Sequence, residues 1–232
     1  MIKAENLRKE LGGKEILSDI SFEVDAGEVV GFLGPNGAGK TTTLRILSCF
    51  FRPTSGRVFI GGIDVTQSTS SVKKVIGYLP EQVPFYGEFT VKGYLEFVAE
   101  AKGLNGKKKR DQVLETMELF SLRNRSRQTI KTLSKGFQKR VCLAQAAIND
   151  PKLLLLDEPT NSLDPQQIVE FREYIKKLSE DRTIFLSSHI LSEVKATCKK
   201  VIIIDNGRIK AIEQLDQVDN LERLYLSRIE EM

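Results

Sequence analysis

The fold is decided by the stretch Gly34-Pro35-Asn36-Gly37-Ala38-Gly39-Lys40-Thr41. Its spacing, G-x-x-x-x-G-K-[ST], is that of a phosphate-binding loop, in which glycines let backbone N–H groups point inward around a polyphosphate. The apolar run 28–33 before the loop predicts a buried strand, and the run 42–47 after it predicts a helix. The positive end of that helix would face the same phosphates. This strand–loop–helix order predicts a nucleotide site.

Two side chains at the end of the loop are predicted to act on the nucleotide directly. Lys40 can reach the β- and γ-phosphates of ATP, and the Thr41 hydroxyl can bind the accompanying Mg²⁺. The residues expected to contact the nucleotide phosphates are Gly34, Pro35, Asn36, Gly37, Ala38, Gly39, Lys40, Thr41 and Thr42. The alternative is a glycine-rich loop that only closes a βα turn, and the flanking strand and helix disfavour it.

Length and composition suit a globular α/β protein. The chain has 232 residues, of which 41% are hydrophobic, enough for one large α/β domain or a core with a subdomain. A net charge of +4 does not by itself indicate nucleic acid, and none is expected as a partner. We interpret the basic run 107–110 as a solvated helix start rather than a lipid or nucleic-acid patch. Three widely spaced cysteines predict buried free thiols.

The sequence also gives an expectation for location. No apolar run approaches the roughly 20 residues that span a bilayer, and the first residues, 1–6, lack a signal-peptide pattern. We therefore expect a cytoplasmic protein.

The order of predicted elements changes twice along the chain. Strand patterns occupy 2–7, 16–24, 57–61 and 75–79. Between 90 and 149, apolar residues recur at helical spacing, which indicates an inserted helical block. Strand patterns then return at 153–156, 183–187 and 201–205, with helices between them and an amphipathic helix in the tail.

Two carboxylates follow the predicted strand 153–156. Asp157 lies where an ATP-hydrolysing phosphate-loop enzyme needs an acid to hold the Mg²⁺ shell. Glu158 follows it and could polarise the attacking water, as general base or as its positioner. Strands often end in polar turns, so this pair gains its meaning from the loop at Gly34–Thr41.

Three further motifs point to one family. Leu133-Ser134-Lys135-Gly136-Phe137-Gln138-Lys139-Arg140 resembles the signature motif of ABC-type ATPases, usually Leu-Ser-Gly-Gly-Gln. Ser162-Leu163-Asp164-Pro165 resembles the D-loop, and Ser187-Ser188-His189 resembles the switch-histidine loop. A lone histidine is usually structural, but His189 follows a predicted strand in the order that the family requires. The resemblance covers essentially residues 1–212.

The resemblance implies a fold and a set of partners. The expected fold is an α/β P-loop NTPase (RecA-like) core with an antiparallel β-subdomain and an inserted helical subdomain. We expect one ABC ATPase domain over 1–232, with the core and β-subdomain at about 1–82 and 151–212. The helical subdomain would take about 83–150 and a C-terminal helix about 213–232. Its partners would be a transmembrane permease chain and a second ATP-binding domain, in a homodimer or with a close paralogue.

The resemblance also implies a site shared between two protomers. ATP would lie between the phosphate loop of one chain and the signature of the other, where Ser134, Lys135 and Gly136 add donors to the γ-phosphate. Asp164 of the D-loop is expected at the same interface. Glu158, His189 and Lys40 would be catalytic.

The chain departs from the family pattern in three places. Lys135 and Phe137 replace the usual Gly and Gln of the signature, a form that resembles a branch of exporter ATPases with a separate permease chain. The glutamine that the family uses near Mg²⁺ aligns with Glu81, with Gln82 beside it, and the sequence favours neither. Leu11 stands where the family often stacks an aromatic ring on adenine.

These motifs predict the ATPase subunit of an ABC transporter, powering a separate permease and more in keeping with export than import. One alternative is a soluble ABC ATPase acting in translation or DNA repair, but the chain has no second cassette, coiled-coil insertion or zinc-binding cysteines. The other is a binding module with dead catalysis, which the filled positions Lys40, Asp157, Glu158 and His189 disfavour.

Overall fold

A computed structural model describes residues 1–82 and 86–230, without the side chain of residue 230. The strands are β1 Ile2–Leu11, β2 Lys14–Val24, β3 Val29–Leu33, β4 Ser55–Ile60, β5 Ile63–Asp64, β6 Ile76–Leu79, β7 Leu153–Leu156, β8 Thr183–Ser188, β9 Lys200–Asp205 and β10 Arg208–Gln214. The α-helices are α1 Lys40–Leu47, α2 Thr69–Val75, α3 Val91–Ala101, α4 Gly106–Leu119, α5 Lys135–Ala147, α6 Pro165–Leu178, α7 Leu191–Thr197 and α8 Leu221–Glu230. Strands and helices are interspersed along the chain, as the α/β prediction requires.

The strands form two sheets. The first has four strands in the order β2-β1-β4-β5, all paired antiparallel. The second has six strands in the order β10-β9-β3-β8-β7-β6, parallel except for the β9–β10 pair. Because the carboxyl ends of parallel strands meet at one edge, the loops after β3, β7 and β8 lie side by side there.

The six-stranded sheet is buried on both faces. Successive side chains of a strand point to opposite faces, and in β7 Leu153 and Leu155 enter one hydrophobic core while Leu154 and Leu156 enter the other. One core lies against the four-stranded sheet and α1, and the other holds α3, α5 and α6. A run of four leucines therefore suits this strand, as its sequence predicted.

The predicted α/β fold class is confirmed, whereas several element boundaries were wrong. The first strand continues past Leu7 to Leu11, because a turn at Gly12 and Gly13, both with positive φ, pairs it with the start of β2. Helix α1 begins two residues earlier than predicted, at Lys40.

The tail contains the largest error. The C-terminal helix predicted for 213–232 begins only at Leu221, and its last two residues lie outside the described part of the chain. Residues 213 and 214 instead end β10, a half-exposed edge strand that pairs antiparallel with β9, and Leu215–Gln217 form a short 3-10 helix. Helix α2 was not predicted either, because it is short and exposes most of its surface.

Helices α3, α4 and α5 occupy the segment predicted as a helical subdomain, 83–150, whose first three residues the structure does not describe. The basic run 107–110 lies in the first turn of α4 and is largely exposed, as expected for a solvated helix start. All three cysteines are free: Cys142 and Cys198 are buried, whereas Cys49 is only half-buried. Across 1–82 and 86–230, no helix has the length and apolarity needed to cross a membrane.

Candidate nucleotide-binding site

The phosphate loop joins β3 to α1 and passes close to other backbone. A Cβ on Gly34 would lie 2.1 Å from the backbone oxygen of Ile204, so only glycine fits there. Gly37 and Gly39 have φ of 82° and 106°, a region that side chains with a Cβ rarely adopt. Gly34 is therefore required because a side chain would not fit, whereas Gly37 and Gly39 are required for their backbone conformation.

Lys40 is folded back onto its own loop. Only 6% of the residue is exposed. Its Nζ donates hydrogen bonds to Gly34 O at 2.7 Å and Pro35 O at 3.1 Å. The same Nζ lies 3.2 Å from Glu158 Oε1. This ion pair falls outside hydrogen-bond geometry, and Oε1 has no hydrogen-bond partner among the described residues.

Asp157 has one satisfied and one free carboxylate oxygen. Thr41 Oγ1 donates to its Oδ1 at 3.2 Å, and Ser187 Oγ donates to the same atom at 2.7 Å. Its Oδ2 is buried without a hydrogen-bond partner in the described part of the chain. Burial raises the pKa of Asp157, and the charges of Glu81 and Glu158 raise it further. The hydrogen bonds from the two hydroxyl groups lower this pKa but do not reverse the shift. A buried, unpaired carboxylate oxygen beside a threonine hydroxyl suits a hard divalent cation such as Mg²⁺.

Glu158 is held at its N–H and its carboxylate by contacts with three other residues. Its backbone has a φ of 43°, and its N–H donates to Ser187 Oγ at 2.9 Å. Its Oε2 lies 2.9 Å from His189 Nδ1, within hydrogen-bond distance. Lys40 approaches the other oxygen. The residue is 6% exposed, so the predicted catalytic carboxylate is largely shielded from water.

Glu81 and Gln82, the two alternatives for the family's glutamine, differ in position. Glu81 borders the cavity that contains the phosphate loop, and its Oε1 accepts a hydrogen bond from Asn161 Nδ2 at 3.2 Å. Gln82 borders a neighbouring cavity with Lys135 and Lys139 instead. Of the two, Glu81 borders the cavity of the phosphate loop and Gln82 does not.

A cavity of about 540 Å³ brings nine of the predicted residues together. It is lined by Lys14, Ile16, Asn36, Gly37, Gly39, Lys40, Thr41, Thr42, Glu81, Glu158, Asn161 and His189. Two larger concavities, of about 620 and 780 Å³, contain none of the predicted site residues. Size therefore does not identify this site, whereas its chemistry does.

Sequence reasoning missed three lining residues. Besides the signature and D-loop residues, the predicted residues that are not in the lining are Leu11, Gly34, Pro35, Ala38, Gln82 and Asp157. Leu11 is 38% exposed at the end of β1 and pairs with Lys14 across the hairpin. It is Lys14 and Ile16, from β2, that border the cavity. Asn161 was also missed, although it lies only three residues after the predicted catalytic Glu158.

The predicted signature and D-loop residues lie outside this cavity. Ser134 caps α5, its Oγ accepting from Phe137 N at 3.5 Å, and Asp164 caps α6, accepting from Gln167 N at 2.9 Å. Ser134 and Lys135 are exposed, whereas Gly136 is buried against the Gln167 side chain. Ser134 therefore keeps its hydroxyl proton free to donate outward.

Phe137, which replaces the usual signature glutamine, has a structural role. Its ring is contacted by two guanidinium groups, those of Arg125 at 4.8 Å and Arg140 at 4.6 Å from the centroid. Such cation–π contacts fix the first turn of α5 to the rest of the helical segment. Ser134 and Lys135 form the exposed face of the signature.

Comparison with known proteins identifies the family. The family model for ABC transporters matches residues 17–161, which include the phosphate loop, the signature and the Asp157–Glu158 pair. The chain belongs to this family. It is 37% identical over 93% of its length to an uncharacterized ABC transporter ATP-binding protein, YhcH of Bacillus subtilis, covering 70% of that protein.

Relatives with more specific names are similar in the same way. The bacitracin transport ATP-binding protein BcrA of Bacillus licheniformis is 36% identical over 97% of the chain, which covers 74% of that protein. The lantibiotic transport ATP-binding protein SrtF of Streptococcus pyogenes is 36% identical over 99% of the chain, which covers 97% of that protein.

Solved structures agree with the family. The ATP-binding subunit of an ABC transporter superposes with a TM-score of 0.89 at 28% identity, over 99% of both chains. A dimeric ATP-binding cassette in a post-hydrolysis state with ADP and Pi gives 0.83 at 26% identity, over 93% of this chain and 99% of that one. The present chain is an ATP-binding subunit of an ABC transporter, and it is an ATPase.

Proposed function

We propose that this ATPase drives a separate membrane permease and that the transporter exports its cargo. Two similar proteins are named for bacitracin transport and lantibiotic transport, and a third for linearmycin resistance. The departures Lys135 and Phe137 fit the same exporter branch. The chain would lie on the cytoplasmic face of the membrane and be held there by its permease. The permease would contain the cargo contacts.

The arrangement of the two neighbouring carboxylates carries the catalytic proposal. Asp157 shares its Oδ1 with two hydroxyl donors and keeps Oδ2 free, so Asp157 and Thr41 would hold Mg²⁺. Bound Mg²⁺ would neutralise charge on the β- and γ-phosphates. Glu81 would approach this cation from the cavity wall.

Glu158 would then act on the water that attacks the γ-phosphate. A general base needs its carboxylate oriented and within hydrogen-bond reach of the water. His189 fixes one carboxylate oxygen, and the other forms an ion pair with Lys40, which would turn to the phosphates when ATP binds. The oxygen released by Lys40 would be free to accept a proton from water. Glu158 would be the base and His189 would orient it.

A second copy, or a close paralogue, would complete each site. Ser134 and Lys135 are exposed at the start of α5 and lie outside the cavity of their own chain. The N-terminus of this helix, with its N–H groups and positive dipole, suits a phosphate from a partner. Asp164, at the start of α6, would lie at the same interface.

A mixing experiment tests the shared site. One protomer carries Lys40→Ala and the other carries Ser134→Arg, so that a heterodimer contains one site with both defects and one site with neither. Activity should partly recover in the mixture relative to either variant alone. No recovery at any ratio, with heterodimers demonstrated, would contradict composite sites. In cells, the wild-type chain should co-purify with membranes only when its permease is co-expressed.

A further inference from the structure

Lys139 connects the signature helix to the catalytic turn of the same chain. It lies one turn after Lys135 in α5, and its side chain is half-buried. Its Nζ is 3.5 Å from the backbone oxygen of Glu158 and donates to it. We propose that Lys139 is a positioning residue that holds the Glu158 turn in its strained conformation, an inference that rests on the proposed role of Glu158.

The backbone of Glu158 needs such support. Its φ of 43° is in the left-handed region, which is unfavourable for a residue with a Cβ and persists only where neighbouring contacts hold it. Ser187 Oγ accepts a hydrogen bond from the N–H of Glu158. The carbonyl oxygen of Glu158 accepts hydrogen bonds from Asn161 N at 3.2 Å and from Lys139 Nζ. Of these contacts, only that of Lys139 comes from the helical segment 91–147.

Charge supports the same role. Burial lowers the pKa of Lys139, whereas the carboxylates of Glu81, Asp157 and Glu158 favour its ammonium form. Three carboxylates that converge in a partly buried region repel one another, and a cation on the far side of the turn reduces that repulsion. Lys40 provides a similar charge from the phosphate loop, but it would leave Glu158 when ATP binds. Lys139 would remain.

The position of Lys139 separates its effect from nucleotide binding. It borders a cavity of about 230 Å³ between α5, Glu81 and Asn161, and it is not among the residues that line the nucleotide cavity. Its loss should therefore disturb the turn and the chemical step more than the affinity for ATP. Because α5 also begins with the signature, Lys139 would transmit a displacement of that helix to Glu158.

The test uses Lys139→Gln, Lys139→Arg and a matched control, Lys92→Gln, which changes an exposed lysine of α3. Hydrogen–deuterium exchange is followed for the turn 157–163 and for the body of α5, 141–147. In Lys139→Gln we expect several-fold faster exchange of the turn with α5 unchanged. We expect kcat to fall about tenfold, as for one lost charge-assisted hydrogen bond, with KM within about twofold.

The conservative variant and the control complete the design. Lys139→Arg keeps the charge and should restore most of kcat and of the protection of the turn, and Lys92→Gln should match the wild type. Wild-type exchange of the turn in Lys139→Gln would overturn the proposal. Equal acceleration throughout the chain would overturn it too, since it would indicate general destabilisation.

Glu158→Gln distinguishes the two proposals. If that variant keeps normal turnover while Lys139→Gln loosens the turn, the catalytic role of Glu158 fails and the positioning contact of Lys139 stands. If Glu158→Gln is slow and Lys139→Gln leaves both the turn and kcat unchanged, only the proposal for Lys139 fails.

Discussion

Replacing Glu158 with glutamine removes one charge from the site and keeps the shape of the side chain. As a general base, Glu158 is expected to contribute about 10²- to 10⁴-fold to kcat. That range corresponds to about 3–5 kcal/mol of transition-state stabilisation. Turnover of Glu158→Gln should fall by this amount, and the protein should accumulate as an ATP-bound dimer.

The same substitution should tighten ATP binding. The Lys40 Nζ and Glu158 Oε1 are 3.2 Å apart, and at an effective dielectric constant of about 20 two unit charges at that distance attract by about 5 kcal/mol. Desolvation of both groups offsets much of this attraction. ATP must draw Lys40 away from Glu158, and glutamine competes less for the lysine. We expect a gain of about tenfold in affinity, or about 1.4 kcal/mol.

The assay separates the two effects. Steady-state phosphate release gives kcat, and binding of ATP in the presence of a chelator gives affinity without hydrolysis. Size-exclusion chromatography with ATP and Mg²⁺ reports the dimer. Glu173→Gln, an exposed glutamate of α6, is the matched control. Near-wild-type turnover would assign the base to another residue, and unchanged affinity would refute competition between Glu158 and ATP for Lys40.

Three further substitutions test separate parts of the site. Lys40→Ala should weaken ATP binding, because the lysine charge that contacts the phosphates is lost. An unchanged affinity in isothermal titration calorimetry would contradict this prediction. Asp157→Asn should abolish Mg²⁺-dependent hydrolysis yet raise the melting temperature of the nucleotide-free, metal-free protein, because burial disfavours the carboxylate. Since the folded-state pKa of Asp157 is raised, wild type loses stability relative to this variant as pH rises through that pKa, and the difference should be smallest in acid. Leu11 is outside the cavity lining but pairs with Lys14, which borders it, so Leu11→Tyr would bring an aromatic ring to the cavity edge. This substitution should tighten ATP binding more than it changes turnover, and the native chain should discriminate between ATP and GTP within about tenfold, about 1.4 kcal/mol, as measured by kcat/KM.

Local sequence predicted the parts of the site that depend on local backbone. The phosphate loop needs its glycines within a few residues of one another, and Asp157 and Glu158 directly follow four buried leucines. Patterns of this kind are complete within one segment. They could be recognised before any contact between distant segments was known.

The remaining parts depend on contacts between segments far apart in the sequence. Lys14 and Ile16 reach the cavity because the β1–β2 hairpin extends over the phosphate loop, which no local pattern of either strand indicates. The strand β10 was missed because its half-exposed residues lack a clear apolar alternation, and its pairing with β9 decides its conformation. The position of Glu81 at the cavity likewise involves Asn161, which is 80 residues from Glu81.

The strained backbone of Glu158 shows why catalysis and fold are linked at this turn. A glycine would adopt φ of 43° more easily, but it would supply no carboxylate. The side chain is therefore kept at a conformational cost, which the surrounding contacts must offset. Ser187 does so from the end of β8 and bonds Asp157 as well, and His189 directly follows this strand. A substitution at Ser187 should consequently disturb both carboxylates at once, although Ser187 itself does not line the nucleotide cavity.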